Sequence, residues 1–303
     1  MTAHHEDTET RRGTKTATQG SATAVYPYDE GTCASLRLGE VPRAIEEITG
    51  LGAEVRPEFV SFWVERGQAD PVGLGEVGRR LVGSYPDALA AALVAARVYD
   101  PMRRLQPEHE ASPVEIAAER RGLGTPGRTS VGILYDGVRV QWLMAELLAE
   151  PVAVHVIITA RLLGTWAEAD SRWHAHTILC GEPAIISTSG LVQAPARPKE
   201  YYQGQALTTT RLVPREVVEA ELRERLADRM LLPDDPRMTQ VVTGYVLQAI
   251  AFQATGSAFC PTPTCRLYNA RRQEELLRAQ SSPEARLCPE HEALFAAMRR
   301  ARR

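Results

Sequence analysis

Apolar and polar positions along the chain switch between the two periods that mark helices and strands. Residues 1–22 set neither period. They are rich in Thr, Gly and charge, with no large apolar side chain beyond Met1, and predict a disordered tail. Folded structure is expected from Ala24, with the strand Ala-Val-Tyr-Pro-Tyr. Pro42 to Ile48 reads as a helix with proline in its first turn and a stop at Gly50. Val55 to Val64, β-branched and aromatic, predicts a strand, and the alanine-rich run Asp87 to Val98 a helix. Ser112, Pro113 and Glu115 open another helix as N-cap, N1 and N3. Gly122 to Arg128 reads as a loop. Val131–Tyr135 and Val152–Ile158 read as strands, the second so apolar that it belongs at the centre of a sheet.

The second half continues the alternation. Trp173 to Gly190 predicts a hairpin turning at Gly181-Glu182-Pro183. Pro214 to Leu232 is an amphipathic helical stretch. Met238 to Thr255 contains no charged residue and predicts a helix buried on most sides, ended by Gly256. The pattern predicts an α/β (α+β) class and one domain over 23–303, without internal repeats.

Composition narrows the possibilities. Of 303 residues, 35 are Lys or Arg and 38 Asp or Glu, a formal charge of −3 that argues against wholesale binding to nucleic acid. No apolar run approaches the ~20 residues that cross a bilayer, and the polar N-terminus is unlike a secretory signal. The expectation is a cytoplasmic protein without a membrane partner. Its five cysteines then point to metal or catalysis rather than disulfides.

Three of those cysteines and a histidine fall in the last 44 residues, as Cys260-x4-Cys265 and Cys288-x2-His291. Two close pairs separated by about one helix is how a tetrahedral zinc site is assembled. Pro261, Pro263 and Pro289 keep the ligand turns out of helix. Four such ligands fill the shell, so the reading is one structural Zn2+ per chain, clamping 256–303. Cys33 and Cys180 stand alone and read as ordinary core or surface thiols.

With this cluster, the sequence resembles the archaemetzincins, metzincin-fold zinc metallopeptidases whose signature is HExxHxxGxxH/C, then C-x4-C-x-M and a later C-x2-C. It is similar in particular to a bacterial and archaeal group described as metallopeptidases, through IITARLLGTW, ISTSGLVQAPARPKEYY, TGSAFCPTPTCRLYNARRQEE and LCPEH, over about residues 150–295. The resemblance implies a metzincin-like domain with a mixed sheet. It places Cys260, Cys265 and Cys288 on structural-zinc cysteines, with His291 replacing the fourth. Leu267 stands where the family has methionine, and Gly256 on the glycine ending the active-site helix. The catalytic positions become Ala249, Ile250, Gln253 and Phe259, none of which can hold a hydrolytic zinc or act as base.

Other residues carry candidate chemistry of their own. His174 and His176, two apart on an expected strand, could share a metal with Glu168 or Asp170. Ser187-Thr188-Ser189-Gly190, followed by Arg197, Lys199, Tyr201 and Tyr202, suits either a ligand-contacting cleft edge or a structural loop. Asn269, Arg272 and Gln273 are expected on one helical face, with Arg271 and Glu275 paired along it. The terminal arginines 299, 300, 302 and 303 favour a helix C-terminus. Three functions follow: a catalytically degenerate archaemetzincin-like protein binding a peptide or protein, a metal-dependent hydrolase relocated to His174/His176, and a zinc-stapled nucleic-acid-binding module.

Overall fold

The computed structural model describes residues 22–31, 33–69, 74–106, 109–123, 132–148, 150, 152–209 and 215–302. The expected tail therefore lies outside the described residues apart from Ala22, as does most of the expected loop 122–128. In chain order the first elements are β1 (Ala24–Asp29), α1 (Val41–Thr49), β2 (Gly52–Ala53), α2 (Phe59–Ala69), α3 (Glu76–Gly83), α4 (Asp87–Ala95) and α5 (Pro113–Gly122). Then come β3 (Leu134–Asp136), α6 (Gly137–Ala145), β4 (Val154–Thr159), β5 (Leu162–Ala167), β6 (Arg172–Ala175), β7 (Ile178–Leu179) and β8 (Ala184–Ser187). The rest is helical: α7 (Thr188–Gln193), α8 (Lys199–Thr209), α9 (Arg215–Leu226), α10 (Met238–Thr255), α11 (Gln273–Gln280) and α12 (Pro289–Arg300).

The strands form two sheets, ordered β2-β1-β4-β8-β7 and β3-β5-β6. The first is parallel except for β7; in the second, β3 runs parallel and β6 antiparallel to β5. Both sheets are mixed, as expected. β4 is central, with all six residues buried. Its Val154, Val156 and Ile158 face one core with Ile186, α1 and α10. Ile157 points through to the other core, with Ile185, Phe59 and Trp63.

Caps fall where the sequence places them. Gly50 and Gly256 end α1 and α10 with φ of 72° and 77°, the left-handed region that suits glycine. Ser112 and Glu115 form the expected capping box. Three expectations need correction. Val55–Val64 is not a strand: α2 takes over at Phe59, because the buried Phe59, Val60, Trp63 and Val64 recur at helical spacing. The hairpin is shorter than 173–190. Only β7 and β8 pair around Gly181-Glu182-Pro183, while β6 joins β5 and residues 188–193 coil into α7. The chain passes between sheets at His176-Thr177, and Gly190 packs so closely there that a Cβ would stand 2.0 Å from the His176 carbonyl oxygen. Finally, Asn269–Arg272 are not helical. Arg272 bridges to Ala196, and Glu275 accepts from the Arg271 and Arg272 amides instead of pairing with the Arg271 side chain.

Candidate metal centre

The chain leaves α10 through Gly256, whose N–H donates to the Phe252 carbonyl at 2.7 Å. It then closes a tight loop. The Cys260 N–H reaches the Leu267 carbonyl at 2.8 Å, and the Cys265 N–H the Thr262 carbonyl at 3.0 Å. Both thiols of this loop consequently point inwards, Cys260 at 3% and Cys265 at 0% exposure. Backbone bonds from Arg266 to Arg286 and from Arg286 to Thr264 lay the incoming chain alongside. This delivers Cys288 as the N-cap of α12, with Pro289 at N1 and His291 in the first turn.

The four expected ligands meet. One atom from each of Cys260, Cys265, Cys288 and His291 lies within 4.8 Å of all the others. The Cys260 and Cys288 sulfurs are 3.7 Å apart; His291 Nδ1 lies 3.0 Å from the Cys288 sulfur and 3.8 Å from that of Cys265. A tetrahedral ion bonded to sulfur at about 2.3 Å separates its sulfurs by roughly 3.8 Å, so the donor set fits one zinc-sized ion. Burial works against ionising Cys260, but N–H and hydroxyl donors from Thr262 and the neighbouring thiols outweigh it and lower its pKa. Burial holds the Cys265 thiol above its ordinary value, as it would a thiol that ionises only against a cation.

Sequence reasoning missed the support behind this loop. Gln280 Nε2 donates to the Arg266 carbonyl at 2.7 Å and Gln248 Nε2 to the Tyr268 carbonyl at 3.3 Å. Leu267 between them is fully buried in the core shared with α10. The available signal was Gly244, a glycine in the middle of an uncharged helix. Its site must stay bare for Gln280.

Residues 21–298 match the family described as "probable metallopeptidase family (DUF6775)". The chain belongs to that family. Among solved structures, the archaemetzincin (amzA) from Methanopyrus kandleri, determined at 1.5 Å, is similar at 11% identity, with 93% of this chain and 97% of that chain covered and a TM-score of 0.42. No curated protein matches.

α10 carries no His, Cys, Asp or Glu. Ala249 and Ile250 are buried in the core and Phe259 is half-exposed beyond the helix. Gln253 instead bridges, its Nε2 lying 3.5 Å from the Ala153 carbonyl and 3.4 Å from the Glu182 carboxylate on the β7–β8 turn. Burial raises the Glu182 pKa.

His174 and His176 have separate partners. His174 Nε2 contacts the Asp170 carboxylate at 2.7 Å, and His176 Nε2 the Thr165 hydroxyl at 2.7 Å. Burial lowers the His176 pKa, and the charge of His174 adds to it. Glu168 is engaged by Arg104 and by the Trp166 indole. Among the described residues, the cysteine cluster alone gathers three or more metal-capable groups. The hydroxyls of the serine-rich stretch are all engaged by backbone. Ser187, Thr188 and Ser189 donate to the carbonyls of Arg161, Thr159 and Ala160, lacing α7 to the β4–β5 turn. That turn aims Arg161 at Glu30, 2.9 Å away, and at Glu119. Of the terminal arginines, Arg299 binds the Ile48 carbonyl at the end of α1, and Arg302 the carbonyls of Ala22 and Thr23. Among the described residues no helix is long and apolar enough to cross a membrane.

Proposed function

We propose that the cysteine cluster holds one structural zinc ion, and that this family member has lost peptidase chemistry and works as a peptide- or protein-binding module. Three thiols and an imidazole form a donor set that selects zinc over harder cations. With four protein ligands the ion has no open position for water or substrate, so what it supplies is cohesion between the end of α10 and α12. The observation that carries the loss of catalysis is the substitution along α10. Hydrolysis needs three ligands, one open position and a base; Ala249, Ile250 and Phe259 offer no donor atoms, and the neutral Gln253 amide is a poor zinc ligand that cannot serve as a base. The basic terminus supports this reading over nucleic-acid binding, since Arg299 and Arg302 hold the chain's own backbone.

The test is a purified sample scored for zinc content and for cleavage of a diverse peptide library. The expected result is one zinc per chain and no cleavage. Chelator-sensitive cleavage that survives Cys265→Ser but disappears when His174 and His176 are both changed to alanine would overturn it in favour of a relocated hydrolase.

A further inference from the structure

The three-stranded sheet has one covered edge and one open edge. On the β3 side, the Val98 amide donates to the Leu134 carbonyl at 2.8 Å and the Asp136 amide to the Ala96 carbonyl at 2.7 Å, so residues 96–98 close that edge. β6 forms the other. It pairs with β5 through Gly164 and Ala175, Thr165 and His174, Trp166 and Trp173, and Ala167 and Arg172. The His176 amide donates to the Leu163 carbonyl at 2.9 Å, which fixes the phase of the antiparallel ladder. His176, His174 and Arg172 are hydrogen-bonded positions, and the N–H and C=O groups of Trp173 and Ala175 point away from β5. Among the described residues, nothing bonds these four groups.

Such an edge is usually blunted by proline, charge or a bulge at its centre. β6 is short and carries Arg172 and His174, both on Asp170, along one face, but its other face carries Trp173 and Ala175 and it has neither proline nor bulge. Trp173 and Trp166 share one face with ring centroids 6.1 Å apart, next to the small Gly164 and Ala175. The Trp173 indole N–H donates to the Arg103 carbonyl at 2.8 Å, anchoring a loop whose Met102 and Leu105 are 73% and 81% exposed. Open ladder groups beside an apolar shelf suit strand addition, in which the backbone supplies affinity and alternate side chains supply selectivity.

We propose that β6 receives an extended peptide as a fourth strand, with its backbone paired to Trp173 and Ala175 and an apolar side chain set against Trp173. The occupant is a strand because a ladder's alternating donors and acceptors cannot be satisfied by a helix. This inference rests on the reading of the chain as a peptide-binding module and puts the binding surface on the second sheet, away from α10.

The probe is a displayed library of random twelve-residue peptides, with selected sequences synthesised and titrated against the full chain by fluorescence anisotropy. Ala175→Pro removes an outward N–H at an edge position where proline is tolerated. It should weaken binding at least tenfold while zinc content and melting temperature stay unchanged. With wild-type protein, N-methylating successive peptide amides should abolish binding at alternate positions only, the period of a strand. A binder indifferent to both Ala175→Pro and N-methylation would overturn the β6 assignment and leave the peptide-binding reading standing. A library without any binder would overturn both. A concentration-dependent dimer dissolved by Ala175→Pro would make the occupant a second copy and overturn the peptide assignment.

Discussion

Gly244 lies in the middle of a buried helix, where a Cβ would stand 1.7 Å from Gln280 Oε1. Because Gln280 holds the loop that follows Cys265, Gly244→Ala should cost about 1–3 kcal/mol in urea denaturation through overpacking; adding Gln280→Ala should recover part of the loss. His155 is a second case of a single residue set by its surroundings. Its Nε2–H donates to the Glu150 carbonyl at 2.8 Å, and its Nδ1 accepts from the Tyr28 hydroxyl at 2.8 Å, which in turn accepts from Arg56. Burial lowers its pKa from 6.5 to about 4. Between those values the unfolded chain binds a proton that the folded chain refuses. Stability is therefore full above pH 6.5 and falls as pH drops towards 4, by on the order of 3 kcal/mol. Denaturation at pH 7 and pH 4.5 should show this loss, and His155→Gln should flatten it. Neither residue declares its role in the sequence: a glycine in a helix and a histidine in an apolar strand gain meaning only from partners 36 and 127 positions away.

Among the elements, those whose local and tertiary demands agree were legible from the chain. α10 was readable to its ends because an uncharged run and a terminal glycine say the same thing. β4 was readable because a wholly apolar run suits a strand covered on both faces. α2 was not, since β-branched and aromatic residues favour strand by propensity while their burial follows a helical period. The hairpin differs for another reason: β6 and β7 end six and two residues before the same Gly181 turn, and nothing local says that they join different sheets. The cysteine pairs were legible because each pair is local in sequence. Their meeting needed only the segment between them to fold back, which the Arg266–Arg286 contact accomplishes. Cys265→Ser should accordingly release the metal and raise hydrogen exchange throughout residues 260–302, because binding energy of order 10 kcal/mol is coupled to folding of the segment. Full protection of α12 in this variant would show that the core holds it without the ion.

At the scale of the whole molecule, the cysteine segment is tied to α1 and to the backbone entering β1. α12 ends over α1, with Arg299 on the Ile48 carbonyl and Arg302 on the backbone entering β1. Where the chain crosses from β4 to β5, Arg161 is shared between Glu30 after β1 and Glu119 on α5, which also accepts from the Tyr135 hydroxyl on β3. The cysteine and histidine segment thus packs against the sheet that β1 and β4 centre, on the face opposite the aromatic core of α2. Beside it, α10 carries no His, Cys, Asp or Glu. X-ray absorption at the zinc edge of the purified protein tests this account most directly. It predicts one zinc per chain bound by three sulfurs at about 2.3 Å and one nitrogen at about 2.0 Å; a shell of nitrogen and oxygen with a bound water, or no retained zinc, would contradict it.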